Sequence, residues 1–243
     1  MAGHSRWSNI KRTKGAADAK RAKIFTKIAR EIIVSVKEGG SSDPANNSRL
    51  AAAIAKAKSA NMPNDNIKRT IEKAAGSGSG TSFESVTYEG YGPNGVAVIV
   101  EAMTDNRNRT AAEVRLYFDK YGGNMGTSGC VSWSFDKKGV IIIDNSNDDQ
   151  DEDSVLEHAM DANALDMEKD GEIYIVYTAP EELAEVAAAL NSCGYELLSA
   201  QVELLPQNYV KLNDPIDIKN MEKMLDLMED DDDVQNVYHN YET

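Results

Sequence analysis

The sequence predicts a multidomain chain of α and α+β class: an N-terminal three-helix domain followed by two ferredoxin-like α+β domains, one inserted in the other. Three observations predict this. First, the charge changes sign near residue 75: residues 1–75 hold 16 Lys+Arg against 6 Asp+Glu (+10), and residues 76–243 hold 10 against 34 (−24). Second, Gly76-Ser77-Gly78-Ser79-Gly80 lies at that point and reads as a flexible linker. Third, helical periodicity dominates before the linker, whereas alternating strand and helix patterns follow it. The predicted division is 1–75 (basic helical domain with an arm), 76–83 (linker), 84–135 with 207–243 (one discontinuous α+β domain) and 136–206 (the insertion).

Residues 1–14 lack apolar periodicity and form the arm. Arg6, Lys11, Arg12 and Lys14 surround Trp7 there. From Ala16 to Glu38, Ile28, Ile32 and Val36 with their neighbours make an apolar stripe, and Lys20, Lys23, Lys27 and Arg30 share a second face. Gly39-Gly40 ends that helix. A second helix spans about Asn47–Ala60, and Asn61-Met62-Pro63-Asn64 breaks the chain. A third helix, about 65–75, buries Ile67 and Ile71 and exposes Lys68, Arg69 and Lys73.

Beyond the linker, Ser85–Tyr91 and Val96–Ala102 form a hairpin about Gly92-Pro93-Asn94-Gly95. Thr110-Ala111-Ala112-Glu113 reads as a capping box opening a helix that ends at Gly122-Gly123. Val131, Trp133 and Phe135 alternate with polar residues and predict a half-buried strand. Then follow a strand (140–143), a helix (154–162), two strands about Asp170-Gly171, a helix after Pro180 and a strand (196–205). This order, βαββαβ, is that of a ferredoxin-like module. The last helix and the strand Val234–His239 have no sheet of their own, so they are expected to complete the sheet begun at residue 84.

A basic helical domain with an arm suits a polyanion, because clustered cations release condensed counterions from phosphate. The same cations would also suit a merely solvated helix face. Trp7 can stack on a base or on a domain surface. The 61–66 break permits a helix-turn-helix reading, although any three-helix bundle needs a tight turn. In the run Asp105–Arg109, Arg107 and Arg109 either hold phosphate or an acidic partner, or pair with nearby acids.

Other chemistries find little support. Gly122–Gly126 joins helix to strand, the reverse of a phosphate cradle. Asp144–Asp153, read as a calcium loop, has Asp149 where glycine is needed and Val155 where the bidentate glutamate belongs. His4, His158 and His239 lack any zinc or nucleophile context. No catalytic residue, metal or cofactor is expected. Cys130 and Cys193 read as small buried residues in a reducing compartment. The acidic run Glu229–Asp233 reads as a solvated loop that would repel phosphate. No apolar run approaches the length of a membrane span, and Met1–Trp7 lacks the apolar core of a secretory signal.

Several segments in order resemble the YebC/PmpR family of probable transcriptional regulatory proteins, related to mitochondrial translational activators of cytochrome oxidase. They are Gly3–Lys11, Lys23–Lys27, Asn61–Ile67, Tyr88–Pro93, Thr104–Thr110 and Val234–Asn240. The resemblance covers nearly the whole chain. It implies a helical domain with two α+β domains, a cytoplasmic location and nucleic-acid work without enzymatic activity or cofactor. Some members are described as DNA-binding regulators; others resemble ribosome-associated factors that bind rRNA and help translation through proline-rich stretches. The expected partner is therefore DNA, with the ribosome as the alternative. The oligomeric state is left open.

Overall fold

The structure, a computed structural model, describes residues 18–76, 83–147 and 149–242. The chain divides into two compact units. One contains residues 135–207; the other contains the helical region together with 83–134 and 208–242.

In the larger unit, helix α1 spans Asp18–Gly39, α2 Ser48–Ser59 and α3 Asn64–Ala75. Their core is the predicted stripe: Ile28, Ile32 and Val36 pack with Leu50, Ala53, Ala57 and Ile67. Asn47 joins two of the helices. Its side-chain oxygen caps α2 by accepting from Leu50 N at 3.0 Å, and its amide donates to Ser35 O at 2.8 Å and Ser41 O at 2.9 Å. Asn61 adopts φ 58°, Met62 N donates back to Ala57 O at 2.9 Å, and Pro63 starts α3 from an extended ψ of 137°. This sequence of dihedrals lets the chain reverse within four residues.

The sheet of the same unit contains β1 (Glu84–Tyr91), β2 (Ala97–Thr104), β3 (Asn124–Met125) and β9 (Val234–His239), in the order β3-β1-β2-β9. Helices α4 (Arg107–Lys120) and α7 (Pro215–Asp230) cover one face. Val98, Val100, Val114, Phe118, Met221 and Met224 form the layer between them. Strand β9 pairs antiparallel with β2, Val98 opposite His239. Two positions require glycine for close approach: a Cβ at Gly90 would lie 2.6 Å from Asn124 O, and one at Gly123 would lie 2.5 Å from Tyr91 O. A short parallel pair, β8 (Val210–Lys211) with β10 (Tyr241–Glu242), completes the unit.

Two local expectations fail here. Residues 130–134 do not form a strand. Ser132–Ser134 is a single 3₁₀ turn and Trp133 is 71% exposed. The cause is Glu89, a buried carboxylate that accepts from the backbone N–H of Gly129 (2.8 Å), Val131 (3.0 Å) and Ser132 (2.9 Å). It coils the segment around itself, so these amides are unavailable for strand pairing. Burial pushes the Glu89 carboxyl up, but those three amides outweigh it and hold it below its usual range. Nor does Thr110 cap a helix. Asn106 is the cap, accepting from Arg109 N at 3.1 Å, and Thr110 lies one turn inside α4, buried.

The second unit has β4 (Phe135–Asp144), α5 (Glu152–Asp161), β5 (Asp166–Asp170), β6 (Ile173–Thr178), α6 (Leu183–Ser192) and β7 (Leu197–Pro206). Its sheet order is β5-β6-β4-β7, antiparallel throughout, which is the ferredoxin-like arrangement. Ile141, Ile143, Tyr174 and Val176 meet Val155, Ala159, Val186 and Leu190 from the two helices. His158 Nδ1 lies 2.7 Å from the Tyr195 hydroxyl. The cysteines are less buried than expected: Cys130 is half-buried and Cys193, at the end of α6, is exposed. No described helix is long and apolar enough to cross a membrane.

Candidate nucleic-acid interface

Lys23, Lys27 and Arg30 recur one turn apart on α1, as their spacing requires, but they do not form an open basic face. Each meets the end of α7 and the acidic run after it. Lys23 Nζ lies 3.2 Å from Asp230 Oδ1 and donates to Asp230 O at 3.1 Å. Lys27 Nζ donates to Glu229 O at 2.7 Å. Arg30 donates to Asp232 O and pairs with Asp233 Oδ1 at 2.6 Å. The last carbonyls of a helix have no intrahelical donors, and the helix dipole places negative potential there. Lys23 and Lys27 therefore cap α7, and Arg30 neutralises the run beyond it. Burial pushes the Lys27 ammonium down, against the attraction of Glu229, Asp231 and Asp232. The charges of Lys23, Lys27 and Arg30, on the face expected to meet phosphate, are thus engaged within the chain.

The expectation of a solvated acidic loop is corrected for the same reason. Asp233 is 4% exposed. Besides Arg30 it accepts from Arg109 (2.6 Å), Thr110 (2.7 Å) and Thr104 (3.1 Å). Burial pushes its carboxyl up, yet these donors and the charge of Arg30 outweigh it and hold it below the usual range. Arg109 also pairs with Asp105 at 2.9 Å, and its hydrogen bonds to Asp233 and Asp105 raise its pKa further. Arg109 is therefore engaged with nearby acids, while Arg107 stays exposed beside it at the start of α4.

Glu113, Asp231 and Asp233 converge closely enough to attract attention as a cation site. Both Asp233 oxygens are already hydrogen-bonded, and arginines supply the positive charge. Burial and the Asp231 charge raise the Glu113 carboxyl. The trio is thus part of an ion-pair network.

The predicted cations of α3 remain exposed: Lys68, Arg69 and Lys73. Lys68 comes only within 4.0 Å of Glu72, and its side chain is 77% exposed. Lys58, in the last turn of α2, is exposed as well. It was missed at the sequence level, although its place beside the 60–63 turn was readable. Lys20 lies in the first turn of α1. Arg6, Trp7, Lys11, Arg12 and Lys14 lie outside the described residues.

A family model described as the TACO1/YebC protein N-terminal domain matches residues 5–77, and one described as the TACO1/YebC second and third domain matches residues 83–241. The chain belongs to the TACO1/YebC family. It is 56% identical over 241 residues to a probable transcriptional regulatory protein of Acetivibrio thermocellus, covering 99% of both chains. It is 53% identical to one of Agathobacter rectalis over the full length of both. The crystal structure of a conserved hypothetical protein, Aq1575, from Aquifex aeolicus superposes with a TM-score of 0.84 at 47% identity, covering 93% of this chain and 91% of that one. The TACO1/YebC fold thus comprises the three-helix region and the two antiparallel sheets described above.

Proposed function

We propose that this TACO1/YebC protein is a non-enzymatic, DNA-binding transcriptional regulator that grips phosphate with its helical domain. The carrying observation is the contrast between two sets of cations. Lys23, Lys27 and Arg30 of α1 are engaged by the acidic run, whereas Lys58 of α2 and Lys68, Arg69 and Lys73 of α3 are exposed. Exposed cations keep the freedom to exchange counterions for phosphate. The basic arm, with Arg6, Trp7, Lys11, Arg12 and Lys14, extends this polarity in sequence.

A ribosomal reading uses the same surface with rRNA as the polyanion. One observation favours it: residues 135–207 hold 18 Asp+Glu against 3 Lys, a net of −15. A naked duplex repels such a domain, whereas a ribonucleoprotein offers cationic protein beside its RNA.

The test is fluorescence anisotropy against duplex DNA and an rRNA fragment across a salt series. Reversing Lys68, Arg69 and Lys73 to Glu should lower the magnitude of the log–log salt slope by about 3, one per lost phosphate contact. Unchanged affinity and slope would refute this surface. Tighter binding to rRNA than to DNA at equal salt would favour the ribosomal reading.

A further inference from the structure

Without residues 135–207 the remaining chain would sum to +1, so this one domain carries the protein's acidity. Its helix α5 turns Val155 and Ala159 into the core. Leu156 (40% exposed) and Met160 (48%) lie one turn apart on a solvent-facing side, and residues at i and i+4 are surface neighbours. The chain then reverses: Asn163 adopts φ 68°, Ala164 N donates to Ala159 O at 2.9 Å, and Leu165 (56% exposed) leads into β5. Strand β5 runs back along the helix, since Lys169 Nζ lies 3.9 Å from Glu152 Oε2 at the far end. Leu165 therefore sits at the Met160 end. Leu156 and Met160 on α5 and Leu165 just after it thus lie exposed in the acidic domain, with exposed Asp153, Glu157 and Asp161 beside them on α5.

Exposed apolar residues are ordinary when scattered; neighbouring ones with a predominantly acidic rim point to recognition. The rim decides the occupant. Nucleic acid is repelled, and so is a second copy of the same −15 domain. We propose that these residues form a docking site for a basic polypeptide segment of another protein, which seats an apolar side chain on Leu156, Met160 and Leu165 while its Lys or Arg residues pair with the rim. This inference uses none of the cations of the proposed phosphate surface, so either can fail without the other.

The test is NMR titration of the full isotope-labelled chain with a synthetic peptide, Lys-Leu-Lys-Lys-Leu-Lys, and with the same peptide carrying Gly for Leu. The expected result is shifts centred on Leu156, Met160 and Leu165, with the Gly peptide at least about tenfold weaker. The double variant Met160→Gln/Leu165→Asn should weaken the Leu peptide to a similar degree. Both positions are exposed, so an unchanged melting temperature is the fold control. Equal affinity for the two peptides, or an unaffected double variant, would reduce the binding to bulk charge attraction and overturn the proposal. Shifts that appear only in a chain lacking residues 1–14 would assign the site to the chain's own basic arm, with the same consequence.

Discussion

Replacing Asp233 by Ala should release the helical region from the sheet it is tied to. The carboxylate receives four donors, at 2.6 Å (Arg30), 2.6 Å (Arg109), 2.7 Å (Thr110) and 3.1 Å (Thr104). Its side chain is 6% exposed and that of Arg30 is 16% exposed, so water screens the pair poorly. Removing one partner of a buried pair leaves the other charge uncompensated and costs about 3–5 kcal/mol. At a urea m-value of about 3 kcal/mol/M, that lowers the unfolding midpoint by about 1–1.7 M. Asp230→Ala is the control. It removes the Lys23 ion pair, whose side chains are 44% and 69% exposed, and exposed pairs of this kind contribute at most about 1 kcal/mol. Hydrogen exchange read segment by segment should show α1 and the start of β9 losing protection in Asp233→Ala and not in Asp230→Ala. The pH dependence has a definite sign. The folded carboxyl lies below its unfolded value of about 3.9, so its stabilisation is present above that value and is lost as pH falls through the lower, folded one. If Asp233→Ala stayed within about 1 kcal/mol of wild type, or matched Asp230→Ala, the case for a buried hub would fail.

Glu89→Ala should leave three loop amides without an acceptor and cost about 1–3 kcal/mol, with faster amide exchange over 129–132; unchanged exchange there would show that the carboxylate does not shape the loop. Burial pushes the His239 imidazole down to about 4. The unfolded chain then takes up this proton first, so stability should decline as pH falls from about 6.5 towards 4. In melts between pH 8 and 5, His239→Asn should show a shallower decline than wild type, and equal slopes would contradict the assignment.

Much of the architecture was legible in the sequence because it rests on local rules. Ile28, Ile32 and Val36 can share a core only on a helix, and Gly92–Gly95 can only turn. The βαββαβ order of residues 135–206 was readable because each strand and helix there carries its own period. What escaped reading depends on partners distant in the chain. Val131, Trp133 and Phe135 alternate like a strand, but Glu89, some 40 positions earlier, takes the amides that a strand would use. Thr110 has the spacing of a cap, yet the helix starts earlier because Asn106 supplies a better-placed oxygen.

The candidate interface divides along the same line. The sequence by itself determined that the cations gather in the first 75 residues and on which helical face each sits, because charge count and the 3.6-residue period need no fold. Only the tertiary structure decided which of them are available. Glu229–Asp233 lies about 200 residues from Lys23, Lys27 and Arg30, and no sequence period relates the two. Strand β9 follows the run directly and pairs with β2, and the last carbonyls of α7 and the acids after them meet Lys23, Lys27 and Arg30 of α1. Among the described residues, Lys68, Arg69 and Lys73 are exposed, and Lys68 comes within 4.0 Å of Glu72 of the same helix.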